Sequence, residues 1–282
     1  MRIGIVGLGL IGGSLGLDLR SLGHYVIGVS QRASTCETAV DRGAADVASC
    51  EFTPLETAEV IFICTPLSQI APTLDQLLPH LAPNAILTDV GSVKAPVIEL
   101  IQPRWANFVG GHPMAGTAES GINAAIPHLF QHNPYVLTPT PQTPEPAIAL
   151  IHQLATSLGA KLYTTSPEAH DRAVAWISHL PVMVSASLIL ACQGEPDPAI
   201  LSLAQALASS GFRDTSRVGG GNPELGLLMA QFNQAALLEA LQAYRHQLDI
   251  LMDGIKQSDW QEVHQRLSTT QQARPAFVKE PW

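Results

Sequence analysis

Over the first 165 residues, short runs of β-branched and aliphatic residues alternate with stretches whose apolar positions recur every three or four residues. That rhythm predicts parallel strands with helices on both faces. Candidate strands cover residues 3–6, 25–29, 60–64, 85–89, 108–110, 135–138 and 161–164. The prolines at 134, 139, 141, 144 and 146 predict an extended loop and an edge strand rather than a helix. After Pro167 only helical patterns remain. One covers 168–191 and is interrupted at Pro181. A second has Asp197 as N-cap and Pro198 at its first position, ending near Gly211. A third opens at Asn222-Pro223 and runs to about residue 255, with Leu225, Leu228, Phe232, Leu241, Tyr244, Leu248 and Leu251 mostly on one stripe. A fourth follows Ser258, with Gln261 completing a capping box, and the chain beyond Arg274 is expected to be loosely held. A helix of roughly 30 residues is about 45 Å long. Its stripe needs either a larger intrachain bundle or a second subunit, and a homodimer through the helical part is the favoured expectation.

The first strand runs straight into Gly7-Leu8-Gly9-Leu10-Ile11-Gly12, which opens an apolar helix. Gly7 suits a tight turn, Gly9 a close approach of backbone to a pyrophosphate, and Gly12 close helix–strand packing. The first N–H groups of a helix have no internal partner and face the phosphates. The expected class is therefore α/β, with an N-terminal Rossmann-type parallel-sheet domain over 1–165 and an all-helical domain over 166–282. In the NAD form of this fold a carboxylate closes the second strand and binds the ribose hydroxyl. Here Ser30-Gln31-Arg32 stands there, with Ser34 and Thr35 next. A guanidinium and hydroxyls suit a 2′-phosphate, which favours NADP; the alternative for Arg32 is a solvated surface side chain.

Composition narrows the class further. The 282 residues are 46% hydrophobic and 14% charged, with a net charge of -9. That balance fits a compact globular protein and argues against nucleic acid or an anionic membrane as partner. Any anionic ligand needs a local arginine cluster. No signal peptide and no uninterrupted apolar run of about 18 residues stand out. The four cysteines form no CxxC pair, as expected for thiols in a reducing cytoplasm.

Ligands of open α/β sheets bind outside the carboxyl ends of the strands. Past the candidate strand ends come the glycines, then Ser30 and Arg32, then Thr65-Pro66, then Val90-Gly91-Ser92-Val93-Lys94, and finally Gly111-His112-Pro113-Met114-Ala115-Gly116. Oxidising an alcohol by hydride transfer requires a proton acceptor, and histidine titrates near neutrality. His112, flanked by glycines, is the candidate catalytic base. Ser92 is read as a site hydroxyl or as a helix cap. Of the ten histidines, His112 and His179 alone have such context; His128 and His132 lie four apart without further ligands and read as surface residues, so no metal is expected. The helical half offers Ser178-His179-Leu180-Pro181 and a glycine-rich segment carrying Arg213, Asp214 and Arg217. Its arginines are the candidates for a substrate carboxylate, with Asp214 positioned to orient Arg217.

Taken together, the GLGLIGGS start, Asp89-Val90-Gly91-Ser92-Val93-Lys94, Gly111-His112-Pro113-Met114-Ala115-Gly116, Ser178-His179-Leu180-Pro181 and Phe212-Arg213-Asp214-Thr215-Ser216-Arg217 resemble the prephenate/arogenate dehydrogenase family of tyrosine biosynthesis. Within it they look most like the cyanobacterial NADP-dependent arogenate dehydrogenases. The resemblance implies oxidative decarboxylation: His112 takes the ring C4 hydroxyl proton, hydride leaves C4 for the nicotinamide, and carbon dioxide departs. It also implies that Ser92 hydrogen-bonds His112 or the hydroxyl, that Arg217 holds the ring carboxylate with Arg213 and His179 nearby, and that the helical domain forms the dimer. Val182 stands where prephenate-using members often carry a histidine, and Gly226 where many carry a tryptophan. Both departures lean towards arogenate, with prephenate as the alternative substrate. Two rivals remain. A β-hydroxyacid dehydrogenase needs a helical lysine, yet beyond the sheet domain only Lys256 and Lys279 occur. A non-catalytic NADP sensor needs no proton acceptor.

Overall fold

The computed structural model describes residues 1–117 and 119–278. Eight strands, β1 (Arg2–Val6), β2 (Tyr25–Val29), β3 (Val47–Ser49), β4 (Val60–Ile63), β5 (Ile86–Asp89), β6 (Phe108–Pro113), β7 (Pro134–Thr138) and β8 (Lys161–Thr164), form one sheet in the order 3-2-1-4-5-6-7-8. Helices α1 (Leu10–Ser21), α2 (Ala33–Asp41), α3 (Ile70–Leu77), α4 (Ala95–Ile101) and α5 (Glu145–Ser157) lie between the strands. The two-residue period of the strands divides the core. Ile3, Ile5, Val60 and Phe62 face a cluster with Leu15, Leu19, Ile151 and Leu154. Val6, Ile61 and Ile63 face the opposite one with Leu74, Leu77, Val97 and Ile101.

Three features depart from the sequence expectation. Strand β3 went unanticipated; three residues are too few to show a period. Strand β7 pairs antiparallel with β6 and parallel with β8, so it lies inside the sheet and β8 forms the edge. A parallel neighbour requires a crossover, usually helical, and between β6 and β7 the only helical turn among the described residues is Ile122–Ala124. Strand β6 also continues to Pro113, so His112 belongs to the strand instead of following it.

The helical part continues with α6 (Pro167–Val174), a π-helical stretch Ala175–His179, α7 (Leu180–Gln193), α8 (Pro198–Leu207), α9 (Ser210–Ser216), α10 (Pro223–Phe232), α11 (Gln234–Lys256) and α12 (Trp260–Phe277). Pro181 breaks the pattern as expected: without an N–H it cannot satisfy the carbonyl four residues back, and the backbone widens before it. Asp197 caps α8 at Ala199 N as read from sequence, but α8 stops at Leu207 and the arginine segment winds into α9. The long third helix is broken at Asn233. Asp259, accepting from Glu262 N, caps α12, while Ser258 has φ of 59° and is not the cap. Arg274 remains helical. By length and composition alone, one helix among the described residues, Pro167–Gln193, could cross a membrane. The chain divides into two compact units, Met1–Gln234 and one from Ala235 onward.

Candidate active site

At the turn after β1, Gly7 has φ of 101°, a left-handed conformation that glycine alone adopts readily. A Cβ on Gly12 would lie 2.0 Å from the Gly7 carbonyl oxygen, whereas nothing approaches a Cβ on Gly9 within 4 Å. The turn is therefore packed on its protein side and open at Gly9, where a phosphate would approach. Leu10 and Ile11 supply the first turn of α1. Strand order reverses around β1, between β2 and β4, so the crevice lies at the ends carrying Gly7, Thr65 and Pro66. Ser30 follows β2, exposed Arg32 is the N-cap of α2, and Ser34 and Thr35 sit in its first turn. No carboxylate stands among these positions. Thr65 Oγ1 accepts from Thr73 Oγ1 at 3.4 Å.

Four elements meet around His112. Its Nδ1 lies 2.8 Å from His170 Nε2 on α6, and His170 Nδ1 lies 2.7 Å from Asp171 Oδ1. The Asp171 carboxylate also accepts from the backbone N–H groups of Lys94 (2.7 Å) and Ala95 (2.8 Å), which ties α6 to the start of α4. Lys94, fully buried, turns its ammonium to Asp89 and to the Gly111 carbonyl oxygen at 2.6 Å. Asp89 further accepts from Gly91 N at 2.8 Å and Gly111 N at 3.2 Å. The ends of β5 and β6 are thus held together by a buried ion pair with its remaining lone pairs satisfied.

Asn233, at the break between α10 and α11, donates its amide Nδ2 to the Asp171 carbonyl oxygen at 2.7 Å. The same nitrogen lies 3.2 Å from His179 Nδ1. Because Nδ2 is a donor only, His179 Nδ1 accepts and its proton resides on Nε2. That Nε2 is buried and has no partner among the described residues. Burial pushes the His179 pKa down to about 4, with Asp171 opposing and His170 adding to the shift. His112 is held well below the usual imidazole range, first by burial and then by electrostatic opposition from Lys94, His170 and His179 to a further positive charge. Both rings are therefore neutral at pH 7: one is able to accept a proton, the other presents an N–H.

His112 and His179, read from sequence, are brought together by the structure. Ser92 lies in the half-buried turn before α4 and makes no cap bond, since Lys94 occupies the N-cap. Ser178 precedes His179 at half-burial. Arg213 and Arg217 are exposed, and Asp214 pairs with Arg213 at 2.9 Å instead of with Arg217. The segment is anchored where Gly219 N donates to Ser185 Oγ at 2.8 Å. Ser185 is six residues beyond His179 on α7, a rise of roughly 9 Å. A Cβ on Gly226 would sit 3.6 Å from Val182 Cγ1, so the two positions that depart from the family pattern face each other. Sequence reading missed His170, Asp171 and Asn233. The first two stand among Glu168 and Arg172 and look like a solvated helix start; Asn233 looks like the middle of a helix. His128 and His132 are exposed with positive φ, and no metal-binding cluster forms among the described residues. Lys256 ends α11, while Lys279 lies outside the described residues.

A strand–glycine turn–helix cradle and a buried, neutral imidazole carried by strands of one sheet fit an NAD(P)-dependent oxidoreductase. Comparison with known proteins specifies which kind. The nucleotide-binding domain model of prephenate dehydrogenase matches residues 15–164, and its dimerization domain model matches residues 166–269. The cyclohexadienyl dehydrogenase of Zymomonas mobilis is 31% identical over 284 residues, covering 98% of this chain and 96% of its own. The crystal structure of Synechocystis arogenate dehydrogenase superposes with a TM-score of 0.90 at 56% identity, covering 99% of this chain and 100% of its own. That of A. aeolicus prephenate dehydrogenase in complex with hydroxyphenyl propionate and NAD+ superposes at 0.93 with 25% identity, covering 99% and 98%. The chain belongs to the prephenate/arogenate dehydrogenase family and is an oxidoreductase of that family. A catalytically silent sensor is thereby set aside. The 3-hydroxyisobutyrate dehydrogenase of Mycobacterium tuberculosis, at 12% identity and a TM-score of 0.57, shares the fold alone.

Proposed function

We propose that this chain oxidatively decarboxylates arogenate to tyrosine with NADP as hydride acceptor. The observation that carries the chemistry is His112, a buried neutral imidazole near the carboxyl end of β6, in the same sheet as the β1 strand that opens the glycine turn. The cradle residues Gly7, Gly9, Leu10, Ile11 and Gly12 hold the pyrophosphate. Ser30, Arg32, Ser34 and Thr35 take the 2′-phosphate, and Thr65, Pro66 and Ser92 flank the nicotinamide side. Bound there, the nicotinamide would supply the acceptor for the hydride that leaves ring C4. His112 takes the C4 hydroxyl proton as the hydride leaves. It returns that proton to the phenolate oxygen once carbon dioxide has departed, so the imidazole ends neutral and the ring aromatic. Ser92 orients the hydroxyl. His179 offers its unpartnered Nε2–H to a substrate oxygen beside Ser178, and Arg217, with Arg213 near it, binds the ring carboxylate.

Arogenate is favoured over prephenate by Val182 and Gly226, which face each other one turn beyond His179, and by the 56% likeness to an arogenate dehydrogenase. The domain boundary falls at 165/166, where the sheet gives way to helices. The functional unit is a homodimer through the helical part. Helix α8 buries no residue within the chain while exposing Ile200, Leu203 and Leu207, and Leu190, Leu225 and Leu227 are likewise uncovered. Exposed free thiols at Cys50 and Cys192 suit a reducing cytoplasm. The test is initial rates with arogenate and prephenate, each with NADP and NAD. The highest kcat/KM is expected for arogenate with NADP, and turnover with neither substrate would overturn the reading.

A further inference from the structure

His112 has two ring nitrogens, and only one can meet a substrate, because Nδ1 is already engaged by His170. A base needs its lone pair on the other nitrogen. In a neutral imidazole the proton can sit on either, so something has to choose. The chain behind His112 makes that choice.

An ionised carboxylate only accepts hydrogen bonds, and Asp171 meets a donor at every contact of its two oxygens: Lys94 N, Ala95 N and His170 Nδ1. His170 Nδ1 therefore carries the proton, and the Nε2 of the neutral ring carries a lone pair. That lone pair faces His112 Nδ1 at 2.8 Å, and the contact is a hydrogen bond only if His112 Nδ1 is protonated. The Nε2 of His112 is then left as the lone pair. The ring centroids lie 5.0 Å apart with the nitrogens at 2.8 Å, so the two nitrogens approach nearly head-on, as an in-plane N–H aimed at an in-plane lone pair requires. His170 and Asp171 are both buried. The reverse tautomer of His112 needs a doubly protonated His170 in a pocket that already holds the buried Lys94 ammonium.

We propose that His170 and Asp171 are positioning residues that, as a hydrogen-bonded relay, hold His112 with its proton on Nδ1 and its lone pair on Nε2, ready for the substrate hydroxyl. This rests on the reading of His112 as the proton acceptor. The hydroxyl proton goes to His112 Nε2, the Nδ1 proton stays in place, and the transient imidazolium is balanced through His170 by the Asp171 carboxylate. When carbon dioxide has left, the same proton returns to the phenolate oxygen and the relay is unchanged.

The test is long-range ¹H–¹⁵N NMR of the histidine rings in the intact, ligand-free protein near pH 7.5, with His112 identified by the signals missing from His112→Asn. The relay requires a protonated Nδ1 and an unprotonated Nε2 on His112; an Nε2-protonated His112 overturns it, whatever the enzyme's turnover. The second arm is His170→Phe, which removes the acceptor that a protonated His112 Nδ1 requires. An Nε2-protonated form of His112 should then appear and kcat fall by about tenfold or more, while cofactor Kd stays within about threefold. A folded His170→Phe protein with undiminished kcat, or with lost activity but an unchanged His112 tautomer, refutes the relay. Should His112→Asn itself keep full turnover, the base assignment fails, and the tautomer result still stands or falls separately.

Discussion

Acidification should destabilise this protein through His179. The ring is fully buried, and its Nδ1 accepts from Asn233, so a proton can enter only by opposing a donor already in place. Its pKa lies at about 4 in the folded chain, against an ordinary value of 6.5. Between these values the unfolded chain binds more protons than the folded one, so stability rises with pH across that window and is lost on acidification. For a single group with these two values, linkage gives a loss of about 2 kcal/mol between pH 7 and about pH 4.5. Urea denaturation of the parent and of His179→Gln at both pH values isolates this contribution, because all other titrating groups are common to the two. The variant should be the less stable at pH 7, where the parent keeps its hydrogen bond. The gap should then narrow by about 2 kcal/mol at the lower pH. A gap that stays constant would show that His179 titrates at an ordinary value and that its burial does not keep the proton out.

Three substitutions probe the remaining parts. Arg32→Ala should weaken NADP by about 1.5–3 kcal/mol, roughly ten- to a hundredfold, with little effect on NAD, measured by titration with each cofactor; equal losses would return Arg32 to the solvated surface. Arg217→Ala should mainly raise the arogenate KM by an equivalent of about 1.5–3 kcal/mol in steady-state kinetics, and an unaltered KM would reassign it. Lys94→Met should cost about 3–5 kcal/mol in urea denaturation, because it leaves the Asp89 carboxylate buried without its cation; a loss below about 1 kcal/mol would mean the pair contributes little to holding β5 and β6.

Much of this architecture could be read from the chain because local chemistry dictates it. The glycine turn after β1, the alternating strands and the proline-opened helices each follow from a short stretch of sequence. His112 stood out for the same reason, since a strand end flanked by glycines marks where a ligand has room, whereas His179 stood out through the Ser178-His179-Leu180-Pro181 stretch of the helical half. What stayed hidden depends on contacts between distant residues. The antiparallel β7 results from a connection that winds no crossover helix. The break at Asn233 places an amide between α6 and His179, a role that no periodicity reveals. His170 and Asp171 look solvent-facing beside Glu168 and Arg172 until α6 is laid against α4, where Asp171 finds the N–H groups of Lys94 and Ala95. Arg213, in a segment whose glycines do not suggest a helix, lies on α9 and pairs at the surface with the adjacent Asp214.

The central claim is that His112 is the group that accepts the hydroxyl proton at the nicotinamide edge of the sheet. Its most direct test is His112→Asn, assayed by the appearance of reduced cofactor with arogenate and NADP and, on the same protein, by cofactor titration. The account predicts turnover lowered by a factor of about 10² to 10⁴ or more, with NADP affinity preserved. Turnover close to that of the parent protein would contradict it.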